Sequence, residues 1–370
     1  MKATIDRNSL LRLLSHTQSI VERRNTIPIL LNVRIEAAPG ELGIGATDMD
    51  LEIVEAVAAN VAVSGALTAP AHTLYDIVRK LPEGQPVELE GSGDRLMLRC
   101  GRSRFTLPCL PVEDFPVMSA GPLPWQFVLA AKDLRMLIER TRFAISTEET
   151  RYYLNGIYFH AVRQNGVDML RAVATDGHRL ASVQVPLPAG AAGLVGVIVP
   201  RKCVNEVYKL LEGISEEVAI ALSETKIRFR IGAATLTSKL IDGTFPDYER
   251  VIPTGNDRLL DVDRRAFAEA VDRVSAIASD RSRAVKLTIR DGTLVLAAHS
   301  PDQGSASEEL EVHYSGEGVE IGFNSRYLLD ITQQIEGDSA RLMLADAASP
   351  TIISAVGDAN ALYVLMPMRV

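Results

Sequence analysis

The segment ATDGHRLA at 174–181 sets Asp176, His178 and Arg179 within four positions. A carboxylate, an imidazole and a guanidinium so close together suit proton transfer in principle. Asp-Gly between apolar flanks is first of all a hairpin signal, however. The expected local structure is therefore a tight turn that can present His178 and Arg179 to a partner. GIGATD at 43–48 resembles part of a phosphate loop, but it lacks a third glycine and no helical pattern follows; a strand running into a turn is the better expectation. Cys100, Cys109 and Cys203 are odd in number and in no metal spacing, which fits small buried hydrophobes in a reducing compartment. The histidines at 16, 72, 160, 299 and 313 have no ligand spacing between them. There is no P-loop, GxSxG or HExxH motif. These residues support neither a catalytic assignment nor a metal or cofactor site.

The elements that must position such residues repeat along the chain. Three segments open with a strand-like stretch followed by a helical apolar face at i, i+3, i+4. They are KATI with Leu10, Leu13 and Leu14; QFVL with Leu134, Leu137 and Ile138; and LLDV with Phe267, Ala270 and Val271. A second pattern keeps the same phase at i, i+3, i+4, i+7. It comprises Leu74, Ile77, Val78 and Leu81; Val204, Val207, Tyr208 and Leu211; and Leu328, Ile331, Thr332 and Ile335. Strand pairs follow each time: VELE with RLMLRC, VAIAL with KIRFRI, and RLML with TIISAV. Two patterns in one order three times over mark an internal repeat. The turn-rich stretches GPLP at 121–124 and PTGND at 253–257 read as junctions, giving domains at 1–122, 123–253 and 254–370. The fold class predicted is α+β, with two helices per repeat packed on antiparallel sheet.

The 370 residues, 47% hydrophobic and 23% charged, suit a few globular domains. No apolar run reaches the roughly 18 residues of a membrane span, and the polar start MKATIDRNSL is no secretory signal. The net charge of −8 taken alone argues against nucleic acid, yet it is unevenly spread. Residues 7–24, 73–81, 132–142, 201–212, 263–273 and 325–336, the predicted helical segments, sum to +6 and the remainder to −14. Basic helices on an acidic shell suit loose phosphate contact without non-specific sticking. Nothing suggests base readout, which a protein moving along DNA should lack.

RYYLNG (151–156), ATDGHRLA (174–181), VIVPRK (197–202), SKLIDGTFPDYERVIP (238–253), GFNSRY (322–327) and YVLMPMRV (363–370) resemble the bacterial sliding clamps, the β subunits of DNA polymerase III. MKATIDRNSLL and GRSRFTL (101–107) agree, and the colinear match runs the length of the chain. The resemblance implies a head-to-tail homodimeric ring around duplex DNA, with helices lining the hole and sheets outside. It implies a non-catalytic processivity factor, without cofactor, in the cytoplasm and associated with the nucleoid during replication. Its implied partners are the polymerase III α subunit, the clamp loader and other proteins carrying a clamp-binding motif.

Carried over motif by motif, a partner-peptide pocket would use Leu154, Thr175, Gly177, His178, Arg179, Leu180, Pro246, Arg250, Val251, Val364 and Met366. Asn324, Tyr327, Pro367, Met368 and Arg369 would form the adjoining groove. Aliphatic and Met side chains make an adaptable apolar site, although Val364 and Met366 also read as a final core strand. DNA contacts would fall to Arg24, Tyr152, Tyr153, Arg201 and Lys202, the tyrosines otherwise being ordinary sheet residues. Phe105 and Leu107 would meet Ile277 at the dimer contact. The segment DQGSASEE after Pro301 is less acidic than the family's usual loop, leaving Asp302, Glu308 and Glu309 for that contact. Two other readings compete: a nucleotide-dependent enzyme built on GIGATD and the Asp176–His178 turn, and a peptide-binding repeat scaffold that never meets DNA.

Overall fold

The computed structural model describes residues 1–119, 121–278 and 283–370. Its six α-helices among these residues fall on the predicted segments: α1 Arg7–Gln18, α2 Ala71–Val78, α3 Ala131–Glu139, α4 Arg201–Leu210, α5 Arg264–Ser275 and α6 Ser325–Thr332. The faces read from the spacing are the buried ones. Leu10, Leu13 and Leu14 on α1, and Phe267, Ala270 and Val271 on α5, are fully buried. The starts of α1 and α5 have the same cause. Asp6 and Asp263 lie in extended backbone, and each carboxylate accepts a backbone N–H three residues on, from Ser9 and Ala266, which satisfies a donor the helix itself cannot.

Two compact units result. The first contains Met1–Arg135, Pro188–Leu194 and Lys202–Leu240; the second contains Met136–Leu187, Val195–Arg201 and Ile241–Val370. The middle repeat is thus shared between them, because its strands continue the sheets of its neighbours. In the first unit an eight-stranded antiparallel sheet runs Trp125–Ala130, Glu217–Leu222, Lys226–Ile231, Ala234–Lys239, Leu51–Ala58, Glu41–Thr47, Asn32–Ala38, Gly65–Pro70. The join pairs Leu236 with Ile53. In the second unit the corresponding sheet runs Val197–Pro200, Gly156–Gln164, Val167–Thr175, Arg179–Pro186, Ala361–Leu365, Thr351–Ala355, Ser339–Leu344, Arg258–Asp263, and its join pairs Ala181 with Tyr363. A five-stranded sheet in the first unit and a four-stranded sheet in the second end on the free-edged strands Ser103–Pro108 and Gly304–Glu311.

Three local expectations are corrected. The first helix stops at Gln18 rather than near residue 24, and Pro28 then opens a short 3-10 turn at Pro28–Leu31. Arg24 therefore sits on an irregular segment. RYY is no strand: Tyr152 and Tyr153 lie in a 3-10 stretch, Glu149–Leu154, kinked at Arg151, which pairs with Glu148. DQGSASEE is no loop, since a strand begins at Gly304. Glu308 on that strand is paired with Arg273 at 2.6 Å. GIGATD ends as expected: strand Glu41–Thr47 passes into a turn in which Asp48 accepts the N–H groups of Asp50 and Leu51.

Candidate functional site

The residues at 174–181 form a hairpin tip between Val167–Thr175 and Arg179–Pro186, with Thr175 opposite Leu180. Gly177 takes φ +88°, and a Cβ there would come within 2.6 Å of the Arg151 guanidinium, so both conformation and space call for glycine. Asp176 is consumed by the turn. Its Oδ1 accepts the His178 and Arg179 N–H groups, and its Oδ2 accepts Arg179 Nε at 3.1 Å. His178 instead stacks on Tyr327, with centroids 6.2 Å apart. Asp176 and His178 thus form no carboxylate–imidazole dyad, and the proton-transfer reading of this turn loses its geometry.

Arg179 is the hub of this surface. Beyond Asp176 it donates to Asp330 at 2.5 Å and to the Phe143 carbonyl at 2.7 Å. Its guanidinium also lies 4.3 Å from the Tyr327 ring centroid and 5.0 Å from that of Phe143. Charge-assisted bonds and ring contacts together lock a side chain that is only 9% exposed. Burial first, and then the Asp176 carboxylate, push the Tyr327 phenol above its ordinary range. Asn324 spends its side chain capping α6, accepting from the Arg326 and Tyr327 N–H groups, and so fixes the Tyr327 ring beneath His178.

Beside the hairpin lies an apolar cluster. Leu154, Leu180 and Val364 pack in one cluster with Val173, Ile198, Phe245 and Tyr248. Val364, 2% exposed, belongs to the core strand Ala361–Leu365, whereas Met366 at 41% lies just past it and Val251 at 50% lies on another rim. The strand reading is thus right for Val364, and Met366 is free to meet a partner. Pro246 and Arg250 are exposed on the same stretch as Phe245 and Tyr248, with Arg250 paired to Asp247. The C-terminal tail is threaded along the surface: Met366 N–H donates to the His178 carbonyl and Met368 N–H to that of Gly322. A Cβ on Gly322 would collide with Val370 and the Met368 carbonyl. Pro367 is half-buried and Arg369 exposed. All sixteen pocket and groove residues predicted lie in the second unit. Phe143 and Asp330, partners of Arg179 that sequence reasoning missed, and Arg151 from the RYYLNG motif complete it.

The predicted DNA-contact residues divide between the units, Arg24 and Lys202 in the first and Tyr152, Tyr153 and Arg201 in the second. Tyr152 is exposed and packs edge-on to Tyr153. Arg201 is exposed and its N–H bonds the Asn155 carbonyl, which places it near the tyrosines. Arg24 is exposed, while Lys202 bonds Asp48 and the Ile20 carbonyl within the first unit. Of the predicted dimer residues, Phe105 is half-buried against a cleft of about 330 Å³ that includes Ile77 and Leu81. Leu107 points into its own core opposite Leu96, and Ile277 is half-buried just past α5.

Among the described residues no cluster of His, Cys, Asp or Glu could hold a metal. Complete burial pushes the Cys203 thiol up to about 12, so it is an inert core group. Among the described residues no helix is long and apolar enough to cross a membrane.

Comparison with known proteins agrees along the whole chain. Residues 1–119, 128–247 and 249–369 match the family models of the N-terminal, central and C-terminal domains of the DNA polymerase III beta subunit. The beta sliding clamp of Caulobacter vibrioides is 54% identical over 372 residues, covering 100% of both chains. That of Escherichia coli is 38% identical over 370 residues, again with 100% of both covered. A crystal structure of the sliding clamp of Bartonella birtlesii, bound to griselimycin, superposes with a TM-score of 0.98 at 53% identity over 100% of both chains.

Proposed function

The chain belongs to the DNA polymerase III β-subunit family, the sliding clamps of bacterial replication; it is a non-catalytic processivity factor, and we propose that it works as a head-to-tail homodimer closed around duplex DNA. Each chain would supply three clamp domains, 1–122, 123–253 and 254–370. The free-edged strands carry this reading. Ser103–Pro108 ends one sheet in the first domain, with Arg102 and Arg104 beside it, and Gly304–Glu311 ends another in the third, with Glu309 and Glu311 exposed. An unpaired edge with exposed N–H and C=O groups invites another strand. Two edges of opposite charge at different ends of one chain suit a heterologous contact that closes on itself.

Sequence-independent contact with duplex DNA would come from Arg24, Tyr152, Tyr153, Arg201 and Lys202, the last exchanging Asp48 for phosphate. The surface around Leu154, Leu180, Pro246, Val251, Val364 and Met366, with the His178–Tyr327 groove, would seat a short peptide from the polymerase α subunit, the clamp loader or other clamp-binding-motif proteins. A buried apolar floor with an exposed Met at its rim favours variable apolar anchors. The working compartment would be the cytoplasm, at the nucleoid during replication.

The test is topological. Loaded onto a nicked circular plasmid, the protein should remain with the DNA through gel filtration and leave once the plasmid is cut. Equal retention on circular and linear DNA would mean binding by affinity alone, and the ring reading would fall. Without a loader, binding should be weak and steeply salt-dependent, as phosphate contacts require.

A further inference from the structure

The first unit carries a basic trough that none of these roles uses. On the solvent face of its large sheet, two rows of residues run across three neighbouring strands: Gln126, Ala221 and Arg228; Val128, Ala219 and Arg230. The residues between them, Phe127, Ile220 and Phe229, face the core. Alanine in the middle strand, between taller side chains on both flanks, leaves a channel running along the strands. The segment Gly121–Leu123 closes one side, and the space amounts to about 570 Å³. Val128 stands 48% exposed on the apolar wall.

The opposite wall is cationic and unpaired. Among the described residues, neither Arg228 nor Arg230 makes a hydrogen bond or an ion pair, and Arg228 Nε is buried without an acceptor. Glu52, two strands beyond, makes no ion pair with it: its carboxylate accepts the Met118 N–H. A buried guanidinium N–H without a partner is rare and costly, and a carboxylate is the acceptor that fits its fork.

We propose that this trough binds an extended acidic peptide segment of the form Glu-x-Glu, with small apolar residues around the carboxylates. The two arginines are two residues apart on one strand, so their side chains repeat at roughly 7 Å. An extended peptide repeats its own side chains with the same period, so successive carboxylates meet successive guanidiniums. Its apolar side would lie against Val128 and the alanine floor. The edge strand Trp125–Ala130 is not the docking element itself. Gly190 presses on the Gln126 carbonyl there, where a Cβ would sit 2.3 Å away, so main-chain pairing is blocked and the occupant must lie on the sheet's face.

The experiment is fluorescence anisotropy of labelled Val-Glu-Val-Glu-Val against the full-length protein. Val-Gln-Val-Gln-Val and an oligothymidylate are the comparison probes. The acidic peptide should bind saturably, and the glutamine peptide at least roughly tenfold more weakly. Arg228→Gln with Arg230→Gln should abolish the difference. Ala219→Leu with Ala221→Leu, which fills the channel but keeps both arginines, should weaken binding as much. Thermal melts of both variants should match the parent, since these positions lie on the outer face of the sheet and the buried Arg228 Nε has no partner to lose. Binding that survives filling of the channel would reduce the effect to surface charge and overturn the proposal. Tighter binding of the oligothymidylate, lost in the same variants, would overturn it in favour of a nucleic-acid site.

Discussion

Single side chains in the second unit show how position sets chemistry. His160 lies 2.9 Å from the Tyr248 hydroxyl, with its ring centroid 4.6 Å from that of Tyr158. Burial first, and nearby Arg171 after it, hold its pKa below the usual histidine value. The folded protein therefore resists a proton that the unfolded chain takes up near pH 6.5, so stability is complete above that pH and declines as pH falls. The melting temperature should drop between pH 7.5 and 5.5, and less steeply for His160→Asn; equal slopes would remove His160 as a cause. Gly156 offers a second case. A Cβ there would sit 2.2 Å from the Val199 carbonyl on the paired strand. Gly156→Ala should cost about 1–3 kcal/mol in urea unfolding, because backbone cannot yield as a side chain can. At this scale the sequence spoke only locally. The Asp-Gly turn was legible because Asp176 bonds within its own four residues. The partners that lock Arg179 were not, because Phe143 and Asp330 lie 36 and 151 positions away.

Elements were legible wherever a period of 3.6 or 2 was long enough to see. All six helices among the described residues follow from apolar spacing, whereas the caps that start α1 and α5, Asp6 and Asp263, emerge only in the structure. Asp263→Ala should lower stability by about 1 kcal/mol, read from the melt of the purified protein, since only a cap is lost. RYY misled because three residues fit a strand or a tight turn equally, and Glu148 decides the matter from outside the motif. The tail beyond Leu365 divides structure from recognition. Removing residues 366–370 deletes exposed Met366 and the half-buried Pro367 and Met368 while leaving the strand Ala361–Leu365 whole. Binding of an apolar partner peptide should then fall well over tenfold, as lost anchors commonly cost about 1–2 kcal/mol each. The melt should move little. Undiminished binding by the folded truncation would place the peptide elsewhere, and a large drop in melting temperature would make the tail structural.

At the scale of the whole molecule, the threefold repeat was readable because it recurs in sequence, but the continuity of sheets across repeats was not. Nothing in Leu236 or Ile53 announces that they pair 183 residues apart across a domain junction. The smaller sheets end on Ser103–Pro108 and Gly304–Glu311, where the proposed ring would add a second chain, and two neighbours on the first of these strands differ in exposure. Phe105 is half-buried at the surface, whereas Leu107 is 7% exposed and faces Leu96 in its own core. Placing Asp at 107 would put an unpaired charge in that core and unfold the domain whether or not the position touches a partner. Phe105→Asp is the clean test. Its side chain borders open space near Ile77 and Leu81, so the variant should keep the parent's melting profile while light scattering at micromolar concentration shows half the parent's mass. An unchanged mass for a folded Phe105→Asp protein would place the dimer contact away from this edge, and the charge match between the two free strands would then have no bearing on assembly.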